Sequence, residues 1–283
     1  MDDLTPDQEP EAGMGRGWSG TAAVVTGASS GIGAALARRL AAAGCPVGLI
    51  ARRRDRLAAL ADEIRAAGGT AAVAMADVGD RSQVREAFAA LGEELGPVDL
   101  LVANAGVGAP TTLDPVNTAD VEEMFRVNVF GVVYAIEAVL PEMLRRRQGH
   151  IAAVSSLAGF LGLPGESGYC ASKAAVNTYL DGLRIHLRGR GIRVTTLCPG
   201  FVRTPMTAAN DFHMPWLLDT DEAARRMIRA LSRGRAVYRF PWPMSLLVRL
   251  AGWLPDWLLA RVMHDYNENP PCPPAQATTT ATA

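Results

Sequence analysis

Residues 21–33 restrict the fold more than any other part of the chain. Residues 21–26 read TAAVVT, a short apolar run of the kind that forms a buried parallel strand. It passes directly into Gly27-Ala-Ser-Ser-Gly31-Ile-Gly33, then into a pattern that sets Ile32, Leu36 and Leu40 on one helical face. Strand, glycine turn and helix in that order are the context of a dinucleotide site. Gly27 permits the tight turn, Gly31 lets backbone approach a pyrophosphate, and Gly33 lets the helix pack closely on the strand. The phosphates then meet free N–H groups and the positive end of the helix dipole. Ser29, Ser30 and Ile32 lie inside the same turn and count as cofactor contacts with the three glycines.

The β-α alternation continues. Strands are expected at 46–51, 70–76, 98–103, 150–154, 192–197 and 236–240. Between them fall an amphipathic helix at 55–67, one through Val84, Phe88 and Leu91, and a long one at 117–146 that Pro141 is expected to kink. The pattern predicts an α/β fold: one Rossmann-like doubly wound parallel sheet over residues 20–240, with a C-terminal helical extension at 241–266. Residues 1–19 and 267–283 read as disordered tails.

Chemistry concentrates in residues 155–173, SSLAGFLGLPGESGYCASK. Tyr169 precedes Lys173 by four positions, which on a helix puts both side chains on one face. A phenol with a pKa near ~10 is a poor acid or base at neutral pH. A fixed ammonium beside it favours phenolate, so the expectation is a lowered tyrosine pKa and proton exchange with a substrate oxygen. Of 28 Lys plus Arg, Lys173 is the only lysine. The chain uses arginine wherever a generic cation serves, and keeps the compact point charge for this one place. The plainer reading of an isolated Y-x-x-x-K is an exposed lysine beside a packed tyrosine. The glycine turn argues against it.

The second strand ends in Ala51, followed by Arg52-Arg53-Arg54. A NAD site usually places a carboxylate near here for the ribose 2′-hydroxyl. None is present, and Arg52, with Arg53 beside it, suits a 2′-phosphate. The expected cofactor is NADP(H), with NAD(H) the lesser alternative. Arg54 and Arg56 read as the solvated face of the next helix.

The G-x-x-x-G-x-G spacing after Thr26, joined to Y-x-x-x-K, resembles the short-chain dehydrogenase/reductase family over about residues 21–206. The resemblance implies that Asp77 and Val78 meet the adenine ring, and that Asn104-Ala105-Gly106 packs beside the cofactor. A tight turn without ligand contact is the plainer reading of that tripeptide, and both can hold. Asn128, inside VNVFG, would hold a water linking Lys173 to bulk solvent, against the plainer reading of a satisfied inward amide. Ser156, 13 residues before Tyr169, would polarise the substrate carbonyl, with Ser155 structural. Pro199 and Gly200 would turn beneath the nicotinamide, and Val202 and Thr204 would meet its carboxamide. Lys173 would also grip the nicotinamide-ribose hydroxyls. One departure is Ser30, where many NADP-using relatives carry a basic residue.

The implied activity is reduction of a carbonyl to a secondary alcohol, reversibly, on a small and hydrophobic molecule. The catalytic set is Asn128, Ser156, Tyr169 and Lys173, and no metal is expected. A NAD-dependent alcohol dehydrogenase of the same family and a non-catalytic nucleotide sensor stay as alternatives. A nucleotide-sugar epimerase or dehydratase would bring a C-terminal substrate domain that the chain does not display. The family also implies a homodimer or homotetramer built on the helices carrying Asn128 and Tyr169.

Composition narrows the partners. A net charge of -1 gives no basic field for nucleic acid. Four cysteines without C-x-x-C spacing, and a first segment rich in carboxylates, point to a reducing cytoplasm. Residues 207–218 hold Phe212, Met214, Pro215 and Trp216 where the family has its substrate loop. Beyond the last strand, Leu246, Leu247, Leu250, Trp253 and Leu254 share a helical stripe, and Trp242, Trp253 and Trp257 fall close together. These helices are too short to span a bilayer, which takes about 20 apolar residues. They can cap the substrate pocket, meet a second subunit, or lie peripherally in a membrane interface.

Overall fold

The computed structural model describes residues 18–209 and 213–263. The expected tails, apart from Trp18 and Ser19, and Phe212 of the loop lie outside the described residues. Among these residues seven strands form one sheet: β1 (Ala23–Thr26), β2 (Val47–Ala51), β3 (Ala71–Met75), β4 (Leu100–Ala103), β5 (Gly149–Val154), β6 (Ile192–Pro199) and β7 (Val237–Phe240). Every pairing is parallel, in the order β3-β2-β1-β4-β5-β6-β7. Strands β1, β2 and β4 are buried along their whole length. That is why they read as unbroken apolar runs rather than alternating ones: helices cover both faces.

The covering helices are α1 (Gly31–Ala42), α2 (Arg54–Ala66), α3 (Arg81–Leu95), α4 (Thr118–Met124), α5 (Gly131–Arg146), α6 (Ser167–His186) and α7 (Thr220–Ser232). One core packs α1, α2 and α7 against the sheet through Leu36, Leu40, Leu57, Met227 and Leu231. The opposite core uses Phe88, Leu91, Ile136, Met143, Val176 and Leu180 from α3, α5 and α6. Trp18, placed by sequence in the N-terminal tail, is buried in the first core, and its carbonyl accepts from the Cys45 thiol at 3.4 Å. The folded body therefore includes residues 18 and 19.

The long helix differs from expectation. Between α4 and α5 the chain takes one π-helical turn, Phe125–Phe130, and α5 then runs through Pro141 to Arg146. The departure from α geometry falls in the stretch that carries Asn128. Residues Thr118–Arg146 have the length and mean hydropathy of a membrane span. They are built into the second core, with Val127, Ile136 and Met143 buried there.

After β7 come α8 (Trp242–Ala251) and α9 (Asp256–Val262), so the helical stripe expected to reach Trp253 and Leu254 stops at Ala251.

Candidate active site and dinucleotide cleft

All the strands point their C-terminal ends to one edge, and the chain leaves β1 and β4 in opposite directions there. Such a switch point opens a crevice. A cleft of about 570 Å³ lies along it, lined from the ends of β1, β2, β3, β4, β5 and β6. That volume suits a small-molecule or cofactor site.

The glycine turn forms its floor. Gly27 has φ +68, a left-handed conformation that favours glycine. At Gly33 a Cβ would lie 2.4 Å from the Gly27 carbonyl oxygen and 2.5 Å from the Asn104 amide nitrogen. Only glycine lets α1 start this close to the strand end. The Asn104 amide donates to the Thr26 carbonyl at 3.0 Å, and the Asn104 and Ala105 backbone N–H groups donate to the Thr26 hydroxyl at 3.0 and 3.1 Å. Asn104 thus braces β4 against the turn after β1. Asn104, Ala105 and Gly106 also line the cleft.

Beyond the turn, Arg53 folds back over it. Its guanidinium donates to the Ser29 hydroxyl at 2.9 Å and to the Ser30 hydroxyl at 2.8 Å. The basic group missing from the turn's own sequence is supplied from the end of β2. Arg52, favoured from sequence, lines the cleft beside it. Asp77 also lines the cleft, held by the Arg126 guanidinium at 3.0 Å and by the Gly79 N–H at 3.0 Å. Burial opposes its ionisation, but the Gly79 and Arg126 hydrogen bonds prevail and lower its pKa.

At the other end stand Ser156, Tyr169 and Lys173. Ser156 follows β5 and accepts from the Ala158 N–H at 3.1 Å, which fixes its rotamer. Tyr169 and Lys173 share one face of α6, with the ammonium 5.7 Å from the phenol ring centre. Lys173 is 5% exposed and donates to the Val154 carbonyl at 3.1 Å. Burial lowers its pKa to about 8. Burial also pushes the Tyr169 phenol up to about 12, while a hydrogen bond with Ser156 pulls the other way. The expectation of a lowered phenol pKa is therefore corrected: in this site the loss of water outweighs the Ser156 hydrogen bond. Ser155 is structural, its hydroxyl donating to the Lys173 carbonyl at 3.2 Å.

Two predicted site residues do not line the cleft: Gly33, which acts by packing beneath it, and Asn128. Asn128 is 1% exposed. Its oxygen accepts from the Val107 N–H at 2.8 Å, and its NH₂ donates to the Val107 carbonyl and the Ser172 hydroxyl, both at 2.9 Å. Both amide donors are used, so the side chain clamps the β4 loop to α6. Gly27, Ser29, Ser30, Gly31, Ile32, Arg52, Arg53, Asp77, Val78, Asn104, Ala105, Gly106, Ser156, Tyr169, Lys173, Pro199, Gly200, Val202 and Thr204 all line the cleft.

Sequence reasoning missed four contributors. Ser172, fully buried, links the Asn128 clamp to the Tyr169 carbonyl at 2.8 Å. A hydroxyl one residue before Lys173 was the available signal. Gly108 and Met206 wall the cleft beside the Tyr169 ring, where a Cβ on Gly108 would lie 3.5 Å from the ring and 3.7 Å from the Met206 sulfur. Glu166, just before α6, is partly buried, and burial raises its pKa to about 7. Its charge works against ionisation of Tyr169.

A parallel sheet with a glycine-floored cleft at its switch point, ending in Ser, Tyr and Lys, defines a dinucleotide-dependent oxidoreductase. Known proteins agree. Residues 21–214 match the model of the short chain dehydrogenase family, and the chain belongs to that family. It is 44% identical over 234 residues to an uncharacterized oxidoreductase of Myxococcus xanthus, covering 83% of this chain and 92% of that one. A short chain dehydrogenase/reductase from Burkholderia phymatum, solved in complex with NAD, superposes with TM-score 0.77 at 29% identity, covering 90% of this chain and 98% of that one. An alcohol dehydrogenase from Thermococcus sibiricus, complexed with 5-hydroxy-NADP, gives TM-score 0.70 at 30% identity, covering 78% and 94%. The protein is an NAD(P)-dependent oxidoreductase of the short-chain class.

Proposed function

We propose that this enzyme is an NADPH-dependent reductase that converts a hydrophobic ketone or aldehyde to the alcohol, reversibly. The observation that carries the coenzyme choice is the Arg53 guanidinium lying across the Ser29 and Ser30 hydroxyls. One cation and two hydroxyls at the end of β2, with Arg52 adjacent, make a cradle for a dianionic 2′-phosphate. The glycine turn suits a nicotinamide dinucleotide, since a Cβ at Gly33 would collide with the turn itself. Gly27, Gly31 and Ile32 would hold its pyrophosphate, Asp77 and Val78 its adenine, and Pro199, Gly200, Val202 and Thr204 its nicotinamide.

When bound, the coenzyme supplies a hydride. The chain's own residues handle the substrate oxygen. Tyr169, with a pKa raised to about 12, is protonated at neutral pH and serves as proton donor. Ser156 presents its hydroxyl to the same oxygen, and the Lys173 ammonium stabilises the phenolate left after proton transfer. Asn128 is a positioning residue, fixing Val107 and, through Ser172, the start of α6. The wall of Val107, Pro205 and Met206 favours an apolar substrate. We assign the enzyme to the cytoplasm and to a homodimer or homotetramer, supported by apolar side chains left exposed on the π turn and α6, Phe130 and Ile185.

Fluorescence titration with NADPH and NADH tests the coenzyme reading. Wild type is expected to bind NADPH more tightly. Arg53→Ala should weaken NADPH by about 10-fold or more, the worth of one or two charged hydrogen bonds, and leave NADH unchanged. Tyr169→Phe should bind NADPH as wild type yet lose turnover of apolar ketones. Preference for NADH overturns the coenzyme assignment, and normal turnover by Tyr169→Phe overturns its role.

A further inference from the structure

Helix α8 carries its apolar stripe on the side facing away from the protein. Its inward anchor is Met244, packed so closely on Gly200 that a Cβ there would lie 2.5 Å from the sulfur. The opposite side presents Trp242, Leu246 and Leu250 at i, i+4 and i+8, which are 53%, 38% and 56% exposed. No residue of α8 is buried. A helix on a globular surface ordinarily does the reverse. The chain that follows extends the face with Trp253 at 90% and Trp257 at 71% exposure.

This face is rigidly founded. α8 leaves directly from β7, and the Arg239 guanidinium on that strand stacks on Phe160 at 4.3 Å, tying β7 to the turn after Ser156. The charges in residues 241–263 are Arg249 and Arg261 against the single carboxylate of Asp256, in a chain whose overall charge is -1.

We propose that the α8–α9 face docks on an anionic lipid bilayer. Three tryptophans beside leucines, with arginines among them, match a helix lying in the plane of a membrane interface. At 10 and 7 residues, α8 and α9 are far too short to cross. Charge selects the lipid over a second copy of the chain. In a two-fold contact the face meets itself and sets net positive against net positive, whereas anionic headgroups offer the opposite sign. The inward side of the same helix packs on Gly200, which lines the cleft. A docked enzyme therefore works beside the phase in which apolar carbonyl compounds concentrate.

The full-length protein is sedimented with vesicles of phosphatidylcholine, alone or mixed with phosphatidylglycerol, without nucleotide or substrate. The result is thus independent of the reductase assignment. The expected result is pelleting with the mixed vesicles, a blue shift of tryptophan emission, and release as salt is raised. Trp253→Ser with Trp257→Ser, both at exposed positions, should lower the bound fraction several-fold while nucleotide titration stays at the wild-type level. Arg249→Glu with Arg261→Glu should erase the preference for phosphatidylglycerol. Absence of the protein from the mixed-vesicle pellet overturns the proposal. So does equal pelleting of the tryptophan variant, or a wild-type dimer that ignores vesicles and falls to monomer in that variant.

Discussion

Lys173 sits out of water, against Val154 and near the Tyr169 ring, and its pKa falls to about 8. The folded protein therefore sheds this proton from about pH 8, while the unfolded chain keeps it to the ordinary value of 10.5. Between those values the unfolded state binds more protons, so this group makes stability rise with pH. Turnover should move the opposite way, because a neutral amine no longer supports the phenolate. We predict that kcat/KM for carbonyl reduction declines above about pH 8 while Tm does not decline with it. A profile flat to about pH 10, or one that tracks Tm, excludes Lys173 as the titrating group. The identity of these residues was legible because a lone lysine four after a tyrosine is rare. Their ionisation was not, because spacing along a helix does not report how much water the fold removes.

The π turn between α4 and α5 reaches both ends of the cleft. Arg126 holds Asp77 at 3.0 Å and is itself held by Glu123 at 2.6 and 2.8 Å. Two residues on, Asn128 clamps Val107 and Ser172. Gly79 leaves room for the guanidinium, since a Cβ there would lie 2.1 Å from an Arg126 nitrogen. Arg126→Leu is expected to free Asp77 and raise KM for the nucleotide several-fold with kcat nearly unchanged, and Arg126→Lys to restore part of it. Asn128→Ala should instead lower kcat. Steady-state kinetics with varied nucleotide separates the two, and a fall in kcat alone for Arg126→Leu removes its assigned role. Asn128 stood out in the sequence as a polar residue inside an apolar helix. Its partners did not, because π turns leave no periodic signature and Arg126 finds Asp77 across 49 residues of chain. Likewise Arg53 and not Arg52 spans the serines, a choice of side-chain direction set by the turn it packs on.

Across the molecule, apolar runs located each of the seven strands to within two residues at either end, since parallel strands covered on both faces have no polar side to blur them. What the runs do not encode is where amphipathic surfaces finish. Phe130, Tyr179 and Ile185 stay 50%, 40% and 76% exposed. Sedimentation equilibrium is expected to return a dimer or tetramer, and Phe130→Glu with Ile185→Glu to shift it toward monomer. A wild-type monomer ends the oligomer proposal. One further consequence follows for the whole chain. Arginine fills every other basic position, so amine-directed acylation finds a single side-chain target, at the centre of catalysis and 5% exposed. Apart from the chain's α-amine, lysine-reactive labels find no other target, and an adduct on the Lys173 amine marks an enzyme molecule as inactivated.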